Sequence, residues 1–328
     1  MIATQEECTE KITGNRQFFA DVIAGLKAEP KHLQSKYFYD EKGDVLFQQI
    51  MASPEYYLTG CEMEIFSKQT QSLAAIVRKG GEPFDLIELG AGDATKSIHL
   101  LKKLLDDGAG FTYMPIDISA HVISLLNDDL PAKLPGLNLE GLNGEYFEML
   151  KKAASISNRR KVVLFLGSNI GNMPVAEAQS FLSEIRKHLS PGDMALVGVD
   201  LKKNPKIVRA AYDDKEGITR QFNLNLLERI NRELNAGFDV SAFDHYCSYD
   251  PSTGECKSYL ISLKEQTVPI NCEEIFFKKD EYIWMEISQK YTVEEIDNMA
   301  KKAGFNPSEH LFDSKHWFMD AVLIAEES

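Results

Sequence analysis

The chain carries no CxxC pair and only five cysteines, Cys8, Cys61, Cys247, Cys256 and Cys272. An odd set spaced in this way argues for reduced thiols, which points to a cytoplasmic protein. Long apolar runs are also missing. Met1 to Lys27 is broken by Glu6, Glu7, Glu10, Lys11 and Arg16, so it holds no signal-peptide core, and no run elsewhere approaches a membrane span. A soluble chain with no membrane partner is expected. Positive charge is scarce, with 36 Lys and Arg against 50 Asp and Glu for a formal charge of −14. Such a field repels a phosphate backbone, so nucleic acid is excluded as a partner. The clusters Arg159-Arg160-Lys161 and Lys202-Lys203 flank apolar runs and read as solvated strand or loop boundaries. Repeats and low-complexity tracts are absent, and 44% hydrophobic with 26% charged residues is globular composition.

What is present is an alternation of strand and helix patterns. Buried strands are predicted at Phe84 to Leu89, Phe111 to Asp117, Lys161 to Leu166 and Met194 to Asp200, with helices such as Ala94 to Leu105, Ala120 to Asp128 and Ala176 to His188 between them. That order makes an α/β, doubly wound parallel sheet with helices on both faces. After Asp200 the pattern changes to a helix rich in Leu224, Leu226, Leu227 and Ile230. A hairpin follows, Phe243 to Tyr249 and Cys256 to Leu263, turning through Pro251-Ser252-Thr253-Gly254. The α/β pattern resumes at Thr292, where Thr292 and Glu295 have capping-box spacing and Gly304 suits the helix end, and Trp317 to Ala325 is the last strand. The expected division is 60–202 with 289–328 as one domain, and 1–59 with 203–288 as a second, α+β lobe.

Directly after the first strand stands Glu88-Leu89-Gly90-Ala91-Gly92-Asp93-Ala94-Thr95-Lys96. Gly90 and Gly92 let the backbone turn sharply and approach a ligand, and the following helix offers free N–H groups. A dinucleotide fingerprint needs a third glycine at Thr95, where a pyrophosphate comes close, and this chain lacks it. Asp117 ends the second strand, 27 residues after Gly90, where a carboxylate can accept both hydroxyls of a ribose. A Gly-rich turn alone is often only a tight connection; the acid at the next strand end turns the reading toward a cofactor. An adenosyl ligand without a pyrophosphate, S-adenosyl-L-methionine, fits best. Near the expected end of the third strand, Glu145 and Tyr146 offer an acid and a ring to an adenine.

Tyr37-Phe38-Tyr39-Asp40 leads through Gly43, Leu46 and Phe47 to Pro54-Glu55-Tyr56-Tyr57, then Thr59, Glu62 and Ile65. With Glu88 to Gly92, Phe165 to Asn172, Tyr212-Asp213-Asp214 and Glu286-Ile287-Ser288-Gln289-Lys290-Tyr291, these blocks run in order along nearly the whole chain. They resemble the histidine Nα-methyltransferase family of ergothioneine biosynthesis. The resemblance implies a class I methyltransferase-like fold, S-adenosyl-L-methionine as cofactor, and a free amino acid, foremost histidine, as the small-molecule substrate. It implies that 60–202 and 289–328 bind the cofactor and that the second lobe binds the substrate. Gly90, Lys96, Asp117, Glu145, Tyr146 and Gly167 fall where the family holds the cofactor, with Glu145 replacing an Asp and Tyr146 a Phe. Asn172 and Tyr212 fall where it grips the substrate backbone; Tyr56, Glu286 and Ser288 fall where it contacts the imidazole. Tyr39 and Phe47 resemble the aromatic pair beside the reacting amine and sulfonium.

The residue types suit these roles. A substrate carboxylate needs donors, which the Asn172 amide and Tyr212 hydroxyl are, and an imidazole N–H needs an acceptor, which Glu286 supplies. Ser288, two residues on along a strand, shares the face of Glu286. Taken singly, Tyr56 reads equally as a core aromatic, Asn172 as a turn residue and Glu286 as a solvent-facing strand residue; the order of the blocks decides against those readings. Two positions depart from the family pattern: Asn169 stands for a Thr, and Ser258 for a larger Met, which widens the expected pocket. Displacement at a sulfonium develops no anion, so no metal is expected. The chain is expected to act as a monomer. Two other functions are open to the same sequence. One is the same chemistry on an amino acid such as tryptophan or tyrosine, against which a carboxylate beside an apolar ring argues. The other is a non-catalytic sensor of S-adenosylmethionine or an amino acid.

Overall fold

The computed structural model describes residues 16–327; Cys8 and most of the segment read for a signal peptide lie outside them. The chain divides into two compact units. One joins the segment ending at Tyr57 to Lys203–Ser288, and the other joins Leu58–Lys202 to the segment from Gln289 onward. The strands, in chain order, are β1 (Phe84–Leu89), β2 (Phe111–Asp117), β3 (Leu142–Asn143), β4 (Arg160–Phe165), β5 (Met194–Asp200), β6 (Phe243–Tyr249), β7 (Glu255–Ser262), β8 (Gln266–Ile270), β9 (Glu273–Phe277), β10 (Tyr282–Gln289), β11 (Phe305–Phe312) and β12 (Phe318–Ala325).

The second unit holds a seven-stranded sheet of order β11-β12-β5-β4-β1-β2-β3. Its strands run parallel from β3 to β5, and β12 lies antiparallel to both β5 and β11. All residues of β1 and β5 are buried, as a sheet covered on both faces requires of its central strands. Ile87, Val163, Phe165, Val197, Leu182 and Phe305 belong to one core cluster. The strand order reverses at β1, with β2 on one side and β4 on the other, so the crevice beyond the carboxyl ends of β1 and β4 is where an open α/β sheet takes a ligand. This is the expected doubly wound architecture, with β1, β2 and β5 at the predicted bounds and β4 one residue early. The first helix starts at Ser97, not Ala94. Ala94 itself adopts φ 54°, a left-handed conformation that no helix can include. The capping box forms as expected, with Glu295 N–H donating to Thr292 Oγ1 and Thr292 N–H to Glu295. The edge strand β11 escaped prediction because Asn306, Pro307, Ser308 and Glu309 mask its alternation, and its register slips between Pro307 and Glu309.

The first unit packs helices Arg16–Lys27, Glu41–Ala52, Pro205–Tyr212 and Ile218–Leu234 with a three-stranded sheet, β10-β7-β6, and a hairpin, β8-β9. The predicted β6-β7 hairpin pairs Phe243 with Ser262 through to Tyr249 with Cys256. Every second residue of β7 is buried, the period-2 pattern of a half-covered sheet. The short β8-β9 hairpin was not predicted; its five-residue strands are too short for their alternation to stand out. Cys61, Cys247 and Cys256 are buried thiols. Cys272 is disulfide-bonded, which corrects the expectation of five reduced thiols; spacing alone says nothing of which residues the fold brings near Cys272.

Candidate active site

The residues expected to hold the cofactor gather at the carboxyl ends of the parallel strands. Gly90 leaves β1 with φ 70°, and a Cβ there would stand 2.8 Å from the Tyr146 hydroxyl and 3.7 Å from the Asn169 amide nitrogen. Gly90 is therefore fixed both by its backbone conformation and by what lies against it. Asp117, at the tip of β2, accepts from Gly92 N–H at 3.3 Å and Ser119 N–H at 2.9 Å. Tyr146 begins the helix Tyr146–Ile156, its ring edge-on to Phe165 and Phe181 at 6.2 and 6.3 Å. Burial, then the charges of Asp117 and Glu145, push its phenol up to about 12, so it is a neutral donor. Gly167 follows β4 with φ 77°, and a Cβ there would lie 3.6 Å from both Lys96 Nζ and the Asn169 amide nitrogen. Glu145 is exposed at the head of its helix.

Asn172 ends the 3-10 turn Asn169–Asn172 and is exposed. That turn is held by backbone. Asp200 N–H donates to Ser168 Oγ at 3.0 Å, and a Cβ on Gly171 would stand 2.7 Å from the Gln289 carbonyl. Under the same strand ends Glu88 is buried, accepting from Ser97 and Tyr113 hydroxyls at 2.6 Å each. Burial raises it to about 7 against the opposing pull of those two hydrogen bonds.

Of the residues expected to bind the substrate, all but Asn172 sit in the other unit. Tyr212, the last residue of its helix, shares a hydrogen bond of 2.7 Å with Ser288 on β10, and its ring is edge-on to Tyr56 at 6.1 Å. Ser258 Oγ lies 3.4 Å from a Glu286 carboxylate oxygen, a long contact, and the Glu286 carbonyl accepts from the Trp284 indole at 2.9 Å. Tyr39 and Phe47 are edge-on at 5.5 Å, and Phe222 completes the group at 5.8 Å from Tyr39 and 5.9 Å from Phe47. Tyr39 is 47% exposed, so its ring faces solvent on one side.

The helix Ile218–Leu234 pins the segment that carries Tyr39. Arg229 donates to the carbonyls of Tyr37 and Tyr39 at 3.0 and 3.3 Å. Asp40 caps the helix Glu41–Ala52 through Gly43 N–H at 2.8 Å and also accepts from Asn225 at 2.8 Å and Arg232 at 2.5 Å. Burial works to raise the Asp40 carboxyl, but these three donors hold it below its ordinary value. Phe222, Asn225, Arg229 and Arg232 recur at three- and four-residue steps, one helical face. That spacing was the signal that sequence reading passed over.

The model of the histidine-specific, S-adenosylmethionine-dependent methyltransferase family matches residues 18–325. The chain belongs to that family. As a member it resembles the histidine N-alpha-methyltransferase of Mycolicibacterium smegmatis at 35% identity, over 92% of this chain and 90% of the relative. The histidine N-alpha-methyltransferase of Mycobacterium tuberculosis is 33% identical over 87% and 88%. Ergothioneine biosynthesis protein 1 of Neurospora crassa is 32% identical over 85% of this chain but 31% of its own, longer length. This methyltransferase has a cradle that fits its cofactor: glycines at Gly90 and Gly167 where a Cβ would fill the space, and a carboxylate at the end of β2. Glu62, quoted in a family block without a role, lies beside Lys96 and Gly167. Its signal was an acid on the buried face of the helix Tyr57–Lys68, with Leu58, Cys61, Ile65 and Phe66.

Proposed function

We propose that this methyltransferase transfers methyl groups from S-adenosyl-L-methionine to the α-amino nitrogen of L-histidine, ending at the N,N,N-trimethyl betaine, hercynine. The observation that carries the substrate is Glu286, a half-buried carboxylate with hydroxyls nearby at Ser258 and, two residues along its own strand, Ser288. Such a wall accepts an N–H from an imidazole and disfavours an apolar ring.

When bound, the cofactor supplies an electrophilic methyl group on a sulfonium, which leaves as a neutral thioether. The chain's part is then positioning, and holding two reactants in attack geometry is worth roughly 7–11 kcal/mol. Tyr212 donates toward the substrate carboxylate while Ser288 holds its hydroxyl, and Asn172 keeps the assignment to that carboxylate which the resemblance gives it. Asp117 accepts from the ribose, Gly90, Gly92 and Gly167 clear the approach, and Tyr146 and Glu145 flank the adenine. The amine sheds a proton before each attack; Tyr39, open to solvent, passes it to water. Phe47 and Phe222 give the growing ammonium ring faces that attract a cation without binding its protons.

We further read the protein as a cytoplasmic monomer. Among the described residues no helix is long and apolar enough to cross a membrane.

Incubating the protein with S-adenosylmethionine and each free amino acid, followed by mass spectrometry, tests the reading. Gains of one, two and three methyl groups on histidine are expected. A larger gain on another amino acid would overturn the substrate, and cofactor binding with no gain on any would leave a sensor.

A further inference from the structure

Glu62 is 1% exposed and its carboxylate is held by two groups. Gly167 N–H donates to both its oxygens, at 2.8 and 2.9 Å. Lys96 Nζ forms an ion pair with Oε2. Gly198, in the middle of β5, has no side chain where one would collide: a Cβ there would fall on Glu62 Oε1. A glycine inside a buried strand marks a close approach of this kind.

Asp320 on β12 decides how the charges divide. It is fully buried, and among the described residues neither oxygen has a hydrogen-bond partner. Burial, reinforced by the charge of Glu62, raises it well above the carboxylate range against the pull of Lys96. That direction favours the neutral acid at Asp320, and the ion pair of Lys96 is with Glu62. Burial alone would lower the Lys96 ammonium, but the charge and hydrogen bond of Glu62 outweigh it and raise it. A buried ion pair holds only when further hydrogen bonds satisfy it, and Gly167 N–H supplies them.

We propose that Glu62 is a positioning residue of the cofactor site, fixing the Lys96 ammonium and the Gly167 turn in one geometry, with Gly198 as the gap that admits it. Glu62 acts through Lys96 and Gly167. The proposal rests on the assignment of those two residues to S-adenosylmethionine, and not on the choice of histidine. Because the pair is neutral as a whole, Lys96 offers directed N–H bonds without the net positive charge that would draw in a polyphosphate.

Glu62→Gln keeps the shape and an acceptor for Gly167 N–H but removes the charge. Calorimetry of the full chain with S-adenosylhomocysteine should show affinity weakened by about tenfold or more, the scale of a hydrogen bond to a charged group. The KM for histidine at saturating S-adenosylmethionine should stay within about twofold, since the amino-acid residues are untouched. In the cofactor-free protein labelled with 15N-glycine, the Gly167 amide resonance, identified with Gly167→Ala, should shift. Gly198→Ala, which changes no charge, should reproduce the loss of affinity by displacing the carboxylate. A Glu62→Gln protein of lower Tm with unchanged affinity and an unmoved Gly167 amide would reduce Glu62 to a structural residue and overturn the proposal. Failure of the wild type to bind S-adenosylhomocysteine would instead fell the assignment of Lys96 and Gly167, and the proposal with it.

Discussion

The residues expected to hold the cofactor and those expected to hold the substrate are built from different material. At Gly90 and Gly167 the backbone itself makes the surface, one residue beyond the end of β1 and two beyond the end of β4. On the other unit the surface is made by side chains on separate segments: Tyr212 to Ser288, Ser258 to Glu286, and three aromatic rings held by Arg229 and Asp40. A backbone site tolerates little change and serves one ligand. A side-chain site can be rewritten by a single substitution while the fold stands, so substrate choice is the more changeable property.

Glu286→Ala tests that contrast at its largest. A site that hydrogen-bonds a polar ring discriminates steeply against rings that leave its groups unpaired, and a hydrophobic one discriminates weakly. The ratio of kcat/KM for histidine over tryptophan should fall by roughly a thousandfold, and taking the ratio cancels general damage to the fold. A constant ratio would show that Glu286 does not read the ring.

Glu88 tests the cofactor side, where the buried acid sits among strand ends. With its pKa raised to about 7 in the fold, the folded chain holds a proton that the unfolded chain releases above the ordinary carboxylate range. Its contribution to stability is thus present at low pH and lost as pH rises to 7. Glu88→Gln removes that dependence, so between pH 5 and 8 the wild type should lose roughly 2–3 kcal/mol relative to the variant in denaturant unfolding. Parallel pH profiles would mean that Glu88 is ionised throughout.

Asp117→Ala should weaken S-adenosylhomocysteine by roughly 1.5–3 kcal/mol, since a charged acceptor for two ribose hydroxyls is lost. The histidine KM should hold. A loss confined to histidine would exchange the assignments of the two sets.

The same contrast explains what was legible in the sequence. Gly90, Gly92 and Asp117 announce themselves because a tight turn and a strand end are local events, written in adjacent residues. The strands β1, β2 and β5 were readable because strands buried on both faces are continuous apolar runs. Phe222 and Arg229 were not, since their meaning depends on Tyr39, nearly two hundred positions away. The same holds for Glu62 with Gly167 and Gly198. The polar edge strand β11 lacked alternation, the five-residue strands β8 and β9 are too short for theirs to stand out, and the helix after the Gly-rich turn was drawn early because nothing local forbids Ala94 a helical φ.

Tyr212 and Ser288 sharpen the comparison at the smallest scale. Their shared hydrogen bond of 2.7 Å is buried, and either hydroxyl can be the donor. If Tyr212 donates to the substrate carboxylate, Ser288 must donate to Tyr212, and the two act as a relay. Tyr212→Phe then removes the donor, whereas Ser288→Ala removes the hydroxyl that orients it. Each change should weaken histidine by about 1 kcal/mol, the net worth of one hydrogen bond. In the double variant the effects should fall short of their sum, because once the tyrosine hydroxyl is gone the serine has nothing left to orient. Cofactor affinity should be unchanged in all three. Strictly additive losses would separate the two hydroxyls, assigning Tyr212 to the carboxylate and Ser288 to the ring on its own account.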